Sequence, residues 1–357
     1  MKILVVDDSI VFRSAITQAL QTIPELNVFK SVVNGKLALD MLKLHPDVDL
    51  ITLDMEMPIM DGLETIKEIR KFNKDITIIV FSSLTVKGAE KTIEALGAGA
   101  DDFVAKTIGT GQLEESLEKI KEDLLPKIMA FKNRKLKRSK ITERISSGDG
   151  VETIGILGPS KTKTEMPIKP KLIVIGLSTG GPDALAQVFR TIVEKVSVPM
   201  LIVQHMPPIF TEKLAAMLSK LSPVEVREAK HGDVLTAGVC FVAPGDYHMT
   251  ITKTGEIHLD QTEKVCFVRP SVDVLLNSIV QNYDKQVLNI IMTGMGEDGA
   301  IGSKKLSLKG SYTYIQSKES CIVWGMPGAV CKTIGDLARS IPLEEIGPLI
   351  NTVSRRL

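Results

Sequence analysis

The stretch Leu172-Ile173-Val174-Ile175-Gly176-Leu177-Ser178-Thr179-Gly180-Gly181-Pro182 decides how the second half of the chain folds. Its short apolar run predicts a buried strand, and the glycines that follow allow a sharp turn. Pro182 suits the first turn of a helix, where a missing N–H costs nothing. The stretch therefore predicts a strand, a tight turn and a helix, with the Ser178 hydroxyl held at the end of the strand.

Ser178 stands where a hydrolase places a nucleophile. The flanking glycines leave room for a substrate carbonyl to reach backbone N–H groups. A phosphate-binding turn or a purely structural turn has a similar Gly-x-Ser-x-Gly pattern. Ser178 is thus a candidate nucleophile, and its assignment depends on finding its partners.

Length and composition describe a globular protein of more than one domain. The chain has 357 residues, long for a single hydrophobic core, and 44% of them are apolar while only 4% are aromatic, which suits buried parallel strands. The net charge of +1 does not indicate a nucleic-acid partner. Because we find neither a signal peptide nor a membrane span, we expect a cytoplasmic protein without membrane insertion.

The cysteine pattern indicates a reducing environment. The chain has 4 cysteines, none of them in a Cys-x-x-Cys pair. We expect reduced, mostly buried thiols rather than disulfides or a zinc site. The residues are Cys240, Cys266, Cys321 and Cys331.

In the N-terminal third, short apolar runs alternate with amphipathic stretches, which predicts a doubly wound parallel sheet whose ligand site lies at the carboxyl ends of the strands. The predicted strands are Ile3–Val6, Val28–Val33, Leu50–Leu53, Ile76–Phe81 and Phe103–Ala105. The predicted helices are Val11–Leu20, Lys36–Leu44, Gly62–Phe72, Lys87–Leu96 and Gln112–Leu124.

A basic, polar segment divides the chain into two α/β domains. Residues 126–169 are rich in Lys, Arg, Ser and Gly and predict an interdomain linker, helical at its start. A solvated connector is the simpler interpretation of its charge, and contact with an acidic partner is the alternative. The predicted domains are therefore residues 1–125 and 170–357.

From residue 170 the β/α alternation resumes, with a hairpin expected around Lys253-Thr254-Gly255. Helices are predicted after Gly181-Pro182, after Pro208, near Ser271, after Gly299 and near Met326. Predicted strands are Leu172–Ile175, Met200–Val203, Val239–Ala243, Met249–Thr252, Gln286–Met292 and Tyr312–Gln316.

Polar side chains follow successive strands of the first domain. Asp7 and Asp8 follow the first strand, Asp54 the third and Ser82 the fourth, while Lys106 follows the fifth. Carboxylates that converge at one sheet edge repel one another, and a hard cation such as Mg²⁺ relieves this. Lys106 and Ser82 would then suit phosphoryl oxygens, and Asp54 becomes a candidate phosphoryl acceptor.

Each of these residues also has an ordinary alternative. Asp8 or Ser9 could cap the next helix, Asp54 could be a loop carboxylate, Ser82 could be a strand-end hydroxyl, and Lys106 could lie on the surface. Their joint occurrence at successive strand ends favours the phosphoryl site.

The first 122 residues resemble a response-regulator receiver domain of the flavodoxin-like fold. The resemblance rests on four motifs: Val5-Val6-Asp7-Asp8-Ser9, Leu53-Asp54-Met55-Glu56-Met57-Pro58-Ile59-Met60-Asp61-Gly62, Phe81-Ser82-Ser83 and Phe103-Val104-Ala105-Lys106. Receivers usually have proline after this lysine, and here the residue is Thr107.

The receiver resemblance implies roles for individual residues. A histidine kinase would phosphorylate Asp54, and Mg²⁺ would bind Asp7, Asp8, Asp54 and the Glu56 backbone carbonyl. Ser82 would be the switch hydroxyl, Phe103 the switch aromatic and Lys106 the phosphoryl-binding lysine.

A nucleophilic serine needs a base and an orienting carboxylate. His205 ends an apolar run one strand after Ser178 and is the best-placed histidine; His248 is less well placed, and His45, His231 and His258 are poor candidates. Asp298 lies in a glycine-rich turn after another strand, with Glu297 as the competing carboxylate. Singly, His205 could be structural and Asp298 could be a helix N-cap.

Two other interpretations of these motifs are weaker. The order Ser178, His205, Asp298 is not that of an α/β-hydrolase, which runs serine, acid, histidine. Gly294-x-Gly296-x-x-Gly299 matches a dinucleotide fingerprint, but Asp298 would set a negative charge against the pyrophosphate.

The second half resembles the CheB methylesterase family, with a Rossmann-like three-layer α/β fold. The motifs are Gly176–Pro182, Gln204-His205-Met206-Pro207, Ala243-Pro244-Gly245, Arg269-Pro270-Ser271-Val272-Asp273, Thr293–Ala300 and Gly325-Met326-Pro327. The resemblance implies a catalytic triad of Ser178, His205 and Asp298, supported by Thr179 and Met295, with no cofactor in this domain.

The same resemblance implies a function. Methyl-accepting chemoreceptors would be the substrate: their glutamyl γ-methyl esters would be hydrolysed and specific glutamines deamidated, in chemotactic adaptation. The chemotaxis histidine kinase CheA would be the phosphodonor, and an unphosphorylated receiver would block the esterase. The rival is a regulator whose second domain only binds a signalling partner.

Overall fold

Two parallel sheets and a short hairpin organise the residues that the structure, a computed structural model, describes: 1–106, 118, 120–133, 169–283 and 286–355. Thr107, residues 134–168 of the predicted linker and the first part of the predicted helix Gln112–Leu124 lie outside these residues. The described residues form two α/β units, as predicted.

The N-terminal sheet has five parallel strands in the order β2-β1-β3-β4-β5, the flavodoxin-like order. The strands are β1 Lys2–Val6, β2 Asn27–Val32, β3 Leu50–Asp54, β4 Thr77–Ser83 and β5 Asp102–Lys106. The helices are α1 Ile10–Gln21, α2 Gly35–Leu44, α3 Gly62–Phe72, α4 Val86–Gly97 and α5 over residues 120–133.

Side-chain caps set where the receiver-like helices begin. Ser9 caps α1 by accepting the Phe12 N–H at 3.4 Å, and Asp61 caps α3 by accepting the Glu64 N–H at 2.9 Å. Because Ser9 provides the cap, the carboxylate of Asp8 is left for another role.

The helix α5 continues through residues 125 and 126, where the sequence analysis divides receiver from linker. The start of the basic segment is therefore helical, as expected. The division into receiver, linker and catalytic domain stays a prediction.

The C-terminal sheet has seven parallel strands in the order β14-β13-β12-β6-β7-β9-β8. The strands are β6 Leu172–Leu177, β7 Met200–Gln204, β8 Glu225–Glu228, β9 Val239–Val242, β12 Val287–Ile291, β13 Tyr312–Gln316 and β14 Ala338–Ile341. The helices are α6 Gly181–Arg190, α7 Phe210–Leu221, α8 Val272–Asn282, α9 Ala300–Leu308, α10 Met326–Ile334 and α11 Leu343–Arg355. Strand order reverses beside β6, which places a crevice at the carboxyl ends of β7, β6 and β12.

A separate antiparallel hairpin, β10 His248–Ile251 and β11 Ile257–Asp260, forms where it was predicted. The elements β8, β14 and α11 were not predicted. Both missed strands lie at sheet edges and carry charged residues, as edge strands do, so they lack an apolar run.

The two units pack through a defined interface. Helix α4 of the first contacts α6 and α7 of the second. Glu90 pairs with Lys213 at 2.8 Å, and the ring of Phe103 stacks on Phe210 with centroids 4.8 Å apart. Strand β5 of the receiver-like unit thereby lies against the start of α7 in the second unit.

Two of the four cysteines differ from expectation. None of the four forms a disulfide; Cys240 and Cys321 are buried, but Cys266 and Cys331 are exposed. Cys266 belongs to a surface turn and Cys331 to the outer side of α10, so the expectation of mostly buried thiols was wrong for these two. Separately, none of the helices in the described ranges combines the length and apolarity of a membrane span.

Candidate active site

Three neighbouring strands present the predicted triad at one sheet edge. Ser178 directly follows β6, His205 directly follows β7, and Asp298 follows β12 at the start of α9. Parallel pairing of these strands aligns their carboxyl ends. The chain therefore brings together residues that are far apart in sequence because their strands are adjacent.

The turn that carries Ser178 is held by backbone and side-chain bonds. The Ser178 N–H donates to the Thr293 carbonyl at 3.0 Å, and Gln204 Nε2 donates to the Ser178 carbonyl at 2.9 Å. Gly180, with φ of +72°, turns the chain into α6. The nucleophile candidate thus has a fixed backbone.

Gly294 explains part of the glycine-rich motif after β12. A Cβ built there would lie 2.4 Å from Met326 Sδ and 2.9 Å from Ser178 Cβ. Only glycine lets this loop approach the serine so closely. Close packing, rather than a dinucleotide, accounts for a glycine at this position.

His205 and Asp298 form a close pair. The His205 Nε2 atom lies 2.8 Å from Asp298 Oδ2, and both side chains are largely buried. A proton on Nε2 donates to the carboxylate, which leaves Nδ1 of the neutral ring free to act as a base. This is the relationship between base and orienting acid that a triad needs.

The start of α8 holds Asp298 in place. Oδ1 accepts from Ser271 Oγ at 2.7 Å and from the Asp273 N–H at 3.0 Å, while Oδ2 accepts from the Val272 N–H at 2.7 Å. A helix N-terminus favours a negative charge. Burial opposes ionisation, but the His205 bond and charge, with these donors, hold the pKa of Asp298 below its usual value.

Ser178 and His205 line one cleft of about 610 Å³ with Thr179 and Met295. Within the described part of the chain, the Ser178 hydroxyl has no hydrogen-bond partner. Hydrogen bonds to a nucleophile often tighten only when substrate binds. The structure therefore places both residues in one cleft without joining them by a hydrogen bond.

Backbone N–H groups at the same edge could bind a developing oxyanion. The amides of Thr179 and Met295 have no acceptor among the described residues. Both residues line the cleft beside Ser178. Such donors stabilise the charge that forms when a hydroxyl attacks a carbonyl.

The structure assigns other roles to the remaining histidines of the catalytic unit. His248 is fully buried: its Nε2 lies 2.9 Å from the Glu263 carbonyl, and its Nδ1 accepts the Ser271 N–H at 3.2 Å. His231 and His258 contact each other edge to face at 4.6 Å. In the receiver-like unit, the His45 ring contacts the Phe29 ring at a tilt of 60°, with centroids 4.4 Å apart.

Sequence reasoning assigned no role to the residues that position Asp298. Ser271 both caps α8 and donates to the carboxylate, and His248 fixes Ser271 from behind. Asp273 accepts the Gly302 N–H at 2.6 Å, which ties α8 to α9. The helix-start pattern at Ser271 was the available signal, but it does not show which loop the cap contacts.

Asp273 should make stability depend on pH. Burial, with the nearby charge of Asp298, raises its pKa from 3.8 to about 6, although the Gly302 N–H favours the charged form. The folded protein then holds this proton more tightly than the unfolded chain does. Stability from this group therefore falls as pH rises from about 4 to about 6, and the loss is complete above that range.

We expect Asp273→Asn to remove this dependence. The difference in free energy of unfolding between the variant and the unmodified chain should shift in favour of the variant by up to about 3 kcal/mol from pH 4 to pH 7. Urea unfolding at both pH values measures the difference. An identical pH dependence in the two proteins would contradict the assignment.

A second site lies at the carboxyl edge of the N-terminal sheet. The carboxylates of Asp7, Asp8 and Asp54 offer oxygens within 4.8 Å of one another. Lys106 Nζ lies 2.9 Å from Asp7 Oδ2 and 2.8 Å from Asp54 Oδ2. The predicted acidic cluster and its lysine therefore meet.

This cluster suits a hard divalent cation. Three carboxylates face one ammonium, and oxygen donors are what Mg²⁺ prefers. Burial raises the pKa of Asp54, against the opposing charge of Lys106, so its charged form needs further compensation. Burial opposes the charge on Lys106, but the two aspartates still raise the pKa of this lysine.

The other predicted receiver residues fall in two places. Ser82 and Glu56 line a cavity of about 290 Å³ with Asp54 and Lys106, and the Ser82 hydroxyl donates to the Gly88 carbonyl at 3.0 Å. Phe103 is buried in the interface against Phe210. The predicted switch aromatic thus contacts the catalytic unit directly.

Comparison with known proteins finds a matching family for each half of the chain. The family model of the response regulator receiver domain matches residues 3–118, and that of the CheB methylesterase matches residues 173–350. A solved structure of the Thermotoga maritima CheB methylesterase catalytic domain is 35% identical and covers 52% of this chain and 100% of its own, with a TM-score of 0.48.

Two relatives match nearly the whole length of this chain. A protein from a Nocardioides species is 39% identical over 98% of this chain and 94% of its own length. One from Halalkalibacterium halodurans is 40% identical over 92% of this chain and 91% of its own. Both are named protein-glutamate methylesterase/protein-glutamine glutaminase. This chain belongs to the CheB family of protein-glutamate methylesterases and protein-glutamine glutaminases, with a response-regulator receiver domain preceding its catalytic domain.

Proposed function

We propose that this enzyme hydrolyses glutamyl γ-methyl esters on methyl-accepting chemoreceptors, deamidates receptor glutamines, and is activated by receiver phosphorylation during chemotactic adaptation. The observation that carries the proposal is the His205–Asp298 pair of 2.8 Å at the cleft that Ser178 lines. Release of methanol from a methylated receptor, with and without a small phosphodonor such as acetyl phosphate, tests it.

In the ester reaction, Ser178 Oγ attacks the γ-carbonyl carbon while His205 takes the hydroxyl proton. The amides of Thr179 and Met295 receive the oxyanion. The C–O bond to the methoxy group breaks, and His205 gives its proton to the leaving methanol. Asp298 stabilises the imidazolium and keeps its orientation.

Water then completes the cycle. His205 removes a proton from water as the oxygen attacks the glutamyl ester of Ser178, and it returns that proton to Ser178. The products are methanol and a free glutamate. With glutamine the same steps release ammonia, because the amide nitrogen leaves in place of the methoxy group.

We expect these steps to need no cofactor in the catalytic domain. The only other acidic group there that could invite a metal, within the described ranges, joins Cys266, Asp273 and Asp298. Both oxygens of Asp298 already accept backbone or side-chain donors, and Asp273 accepts the Gly302 N–H. That use of the oxygens favours a structural role for the group.

Residues of the receiver line part of the cleft. Phe103, Val104 and Lys127 of the receiver side line the same cleft as Ser178 and His205. The Phe103–Phe210 stack and the Glu90–Lys213 ion pair hold the receiver against the catalytic domain. We infer that a receptor segment, which is far larger than a single side chain, is excluded in this arrangement.

Phosphorylation would change the charge next to this interface. We propose that the histidine kinase CheA transfers a phosphoryl group to Asp54, in the cytoplasm. Asp7, Asp8, Asp54 and the Glu56 carbonyl would hold Mg²⁺, which would balance the phosphoryl charge.

The residues around Asp54 are suited to transmit that change. Lys106 would exchange its Asp54 partner for a phosphoryl oxygen, and the Ser82 hydroxyl would leave the Gly88 carbonyl. Ser82, the second-last residue of β4, pairs with Ala105 of β5, the strand that carries Phe103. The interface stack is thus one strand away from the phosphoryl site, and a shift there would loosen it.

We expect Asp54→Asn to abolish stimulation by the phosphodonor and to preserve basal activity. The amide has no carboxylate oxygen to accept the phosphoryl group, while the triad is untouched. Methanol release from methylated receptor is measured before and after adding acetyl phosphate and Mg²⁺.

The matched control for that experiment is Asp49→Asn, at a receiver carboxylate whose Oδ2 accepts the Lys2 N–H, away from the acidic cluster. It should keep the stimulation. Stimulation that persists in Asp54→Asn would place the acceptor elsewhere.

A further inference from the structure

A tight turn at the edge of the catalytic cleft holds an exposed aromatic ring. Val265 and Val268 exchange two backbone hydrogen bonds, of 3.2 and 3.0 Å, around the pair Cys266-Phe267. Both turn residues have positive φ, 51° at Cys266 and 64° at Phe267. Glycine, asparagine or aspartate normally occupies such a two-residue turn.

This conformation is unfavourable for these side chains, so the surrounding structure must hold it. Arg269, directly after the turn, donates from Nε and Nη2 to Asp246 Oδ1 at 3.0 and 2.7 Å. Its Nη1 donates to the carbonyls of Gln261 and Thr262 at 2.8 and 2.6 Å. Backbone outliers that are fixed in this way occur preferentially at functional sites.

The ring of Phe267 is in the solvent. Phe267 is 95% exposed, so none of the described receiver residues covers it. Cys266, Phe267 and Val268 nevertheless line the same cleft as Ser178 and His205. Neither the fold nor the interdomain contact accounts for an aromatic residue here.

The length of the glutamyl side chain determines which part of the substrate comes near this turn. Three C–C bonds separate the Cα of a glutamyl residue from its ester carbonyl carbon, a span of roughly 4 Å at about 1.5 Å per bond. When Ser178 reaches that carbon, the substrate backbone must lie at the mouth of the cleft. Residues that line the mouth therefore contact the polypeptide around the ester.

We propose that Phe267 is a specificity-determining residue, which packs against apolar side chains of the receptor segment that carries the methylated glutamate; this rests on the proposed function. An exposed aromatic ring on a rigid turn can bury a large area with little loss of conformational freedom. In this role the Phe267 ring contacts the receptor segment around the ester and takes no part in the chemical step.

The test compares a protein substrate with a small one. In the phosphodonor-activated full chain, Phe267→Ala should raise KM for methylated receptor about tenfold, with kcat unchanged. Hydrolysis of p-nitrophenyl acetate, which has no polypeptide to contact the ring, should keep its kcat/KM. Phe267→Leu, which retains an apolar side chain, should recover part of the loss.

Two further variants guard against a folding artefact. Phe267→Asn removes the ring but favours the left-handed backbone, so it should fold and show the same rise in KM. Leu308→Ala is the matched control, at a leucine that is 74% exposed at the end of α9. It should leave the kinetic constants for both substrates unchanged.

An equal loss of kcat/KM for both substrates would overturn the proposal, because Phe267 would then support the cleft itself. An unchanged KM for methylated receptor in both Phe267→Ala and Phe267→Asn would overturn it as well. If the unmodified chain hydrolysed p-nitrophenyl acetate but not methylated receptor, the proposed function would fail first, and that result is distinct from any effect of the variants.

Discussion

Ser178→Ala should lower methanol release from methylated receptor by at least about 10⁴-fold, the scale of loss when the serine of a triad is removed. The alanine has no oxygen to attack the ester carbon, so no acyl-enzyme forms. Binding and oxyanion contacts alone would sustain the remaining rate. Release of methanol in a coupled assay, at saturating phosphodonor, gives the ratio.

The fold should survive this change. The backbone bonds of Ser178 to Thr293 and Gln204 do not involve its side chain, and the hydroxyl has no partner in the described ranges. The unfolding midpoint should therefore stay close to that of the unmodified chain. Ser197→Ala, at a serine away from the cleft, should keep full activity. A folded Ser178→Ala enzyme that still releases methanol would disprove the nucleophile assignment.

Asp298→Asn should cost about 10⁴-fold in kcat, because an amide cannot hold the histidine in the required tautomer. In this enzyme the carboxylate also accepts from Ser271, Val272 and Asp273. One side of the asparagine would present an N–H₂ group to donors, so at least one bond would be lost at the start of α8. We expect lower stability in addition to the kinetic loss.

Glu297→Gln tests whether the neighbouring carboxylate, rather than Asp298, serves the triad. Glu297 is exposed, whereas Asp298 is 2% exposed and paired with His205. The glutamine variant should keep both stability and rate. Activity is best compared at a temperature well below the unfolding midpoint of each variant. Full activity in Asp298→Asn, or its loss in Glu297→Gln, would contradict the triad.

Local sequence was sufficient for most of the architecture. Apolar runs such as Leu172–Ile175 form strands because both faces of a parallel sheet are buried, and this pattern can be read without knowing the fold. Helix starts at Gly181-Pro182 and Ser271 follow from backbone and capping chemistry. The edge strands β8 and β14 were missed because exposure removes that apolar signal.

The candidate site was only partly readable. Motif order named Ser178, His205 and Asp298, but alternatives such as His248 and Glu297 stayed open. Burial and bonding separated them: both ring nitrogens of His248 are engaged, and Glu297 points to solvent. Such choices depend on which loops meet, and local sequence does not show the distance between residues on different strands.

By itself, the sequence determined two β/α units, the acidic cluster around Asp54 and the glycine-bracketed Ser178, because strand propensity, turns and caps are local properties. Only the tertiary structure decided that α8 clamps Asp298, that Phe103 stacks on Phe210 across the interface, and that Phe267 stands in solvent at the cleft. These depend on packing between distant segments, where burial and hydrogen-bond geometry, rather than residue type, select the contact.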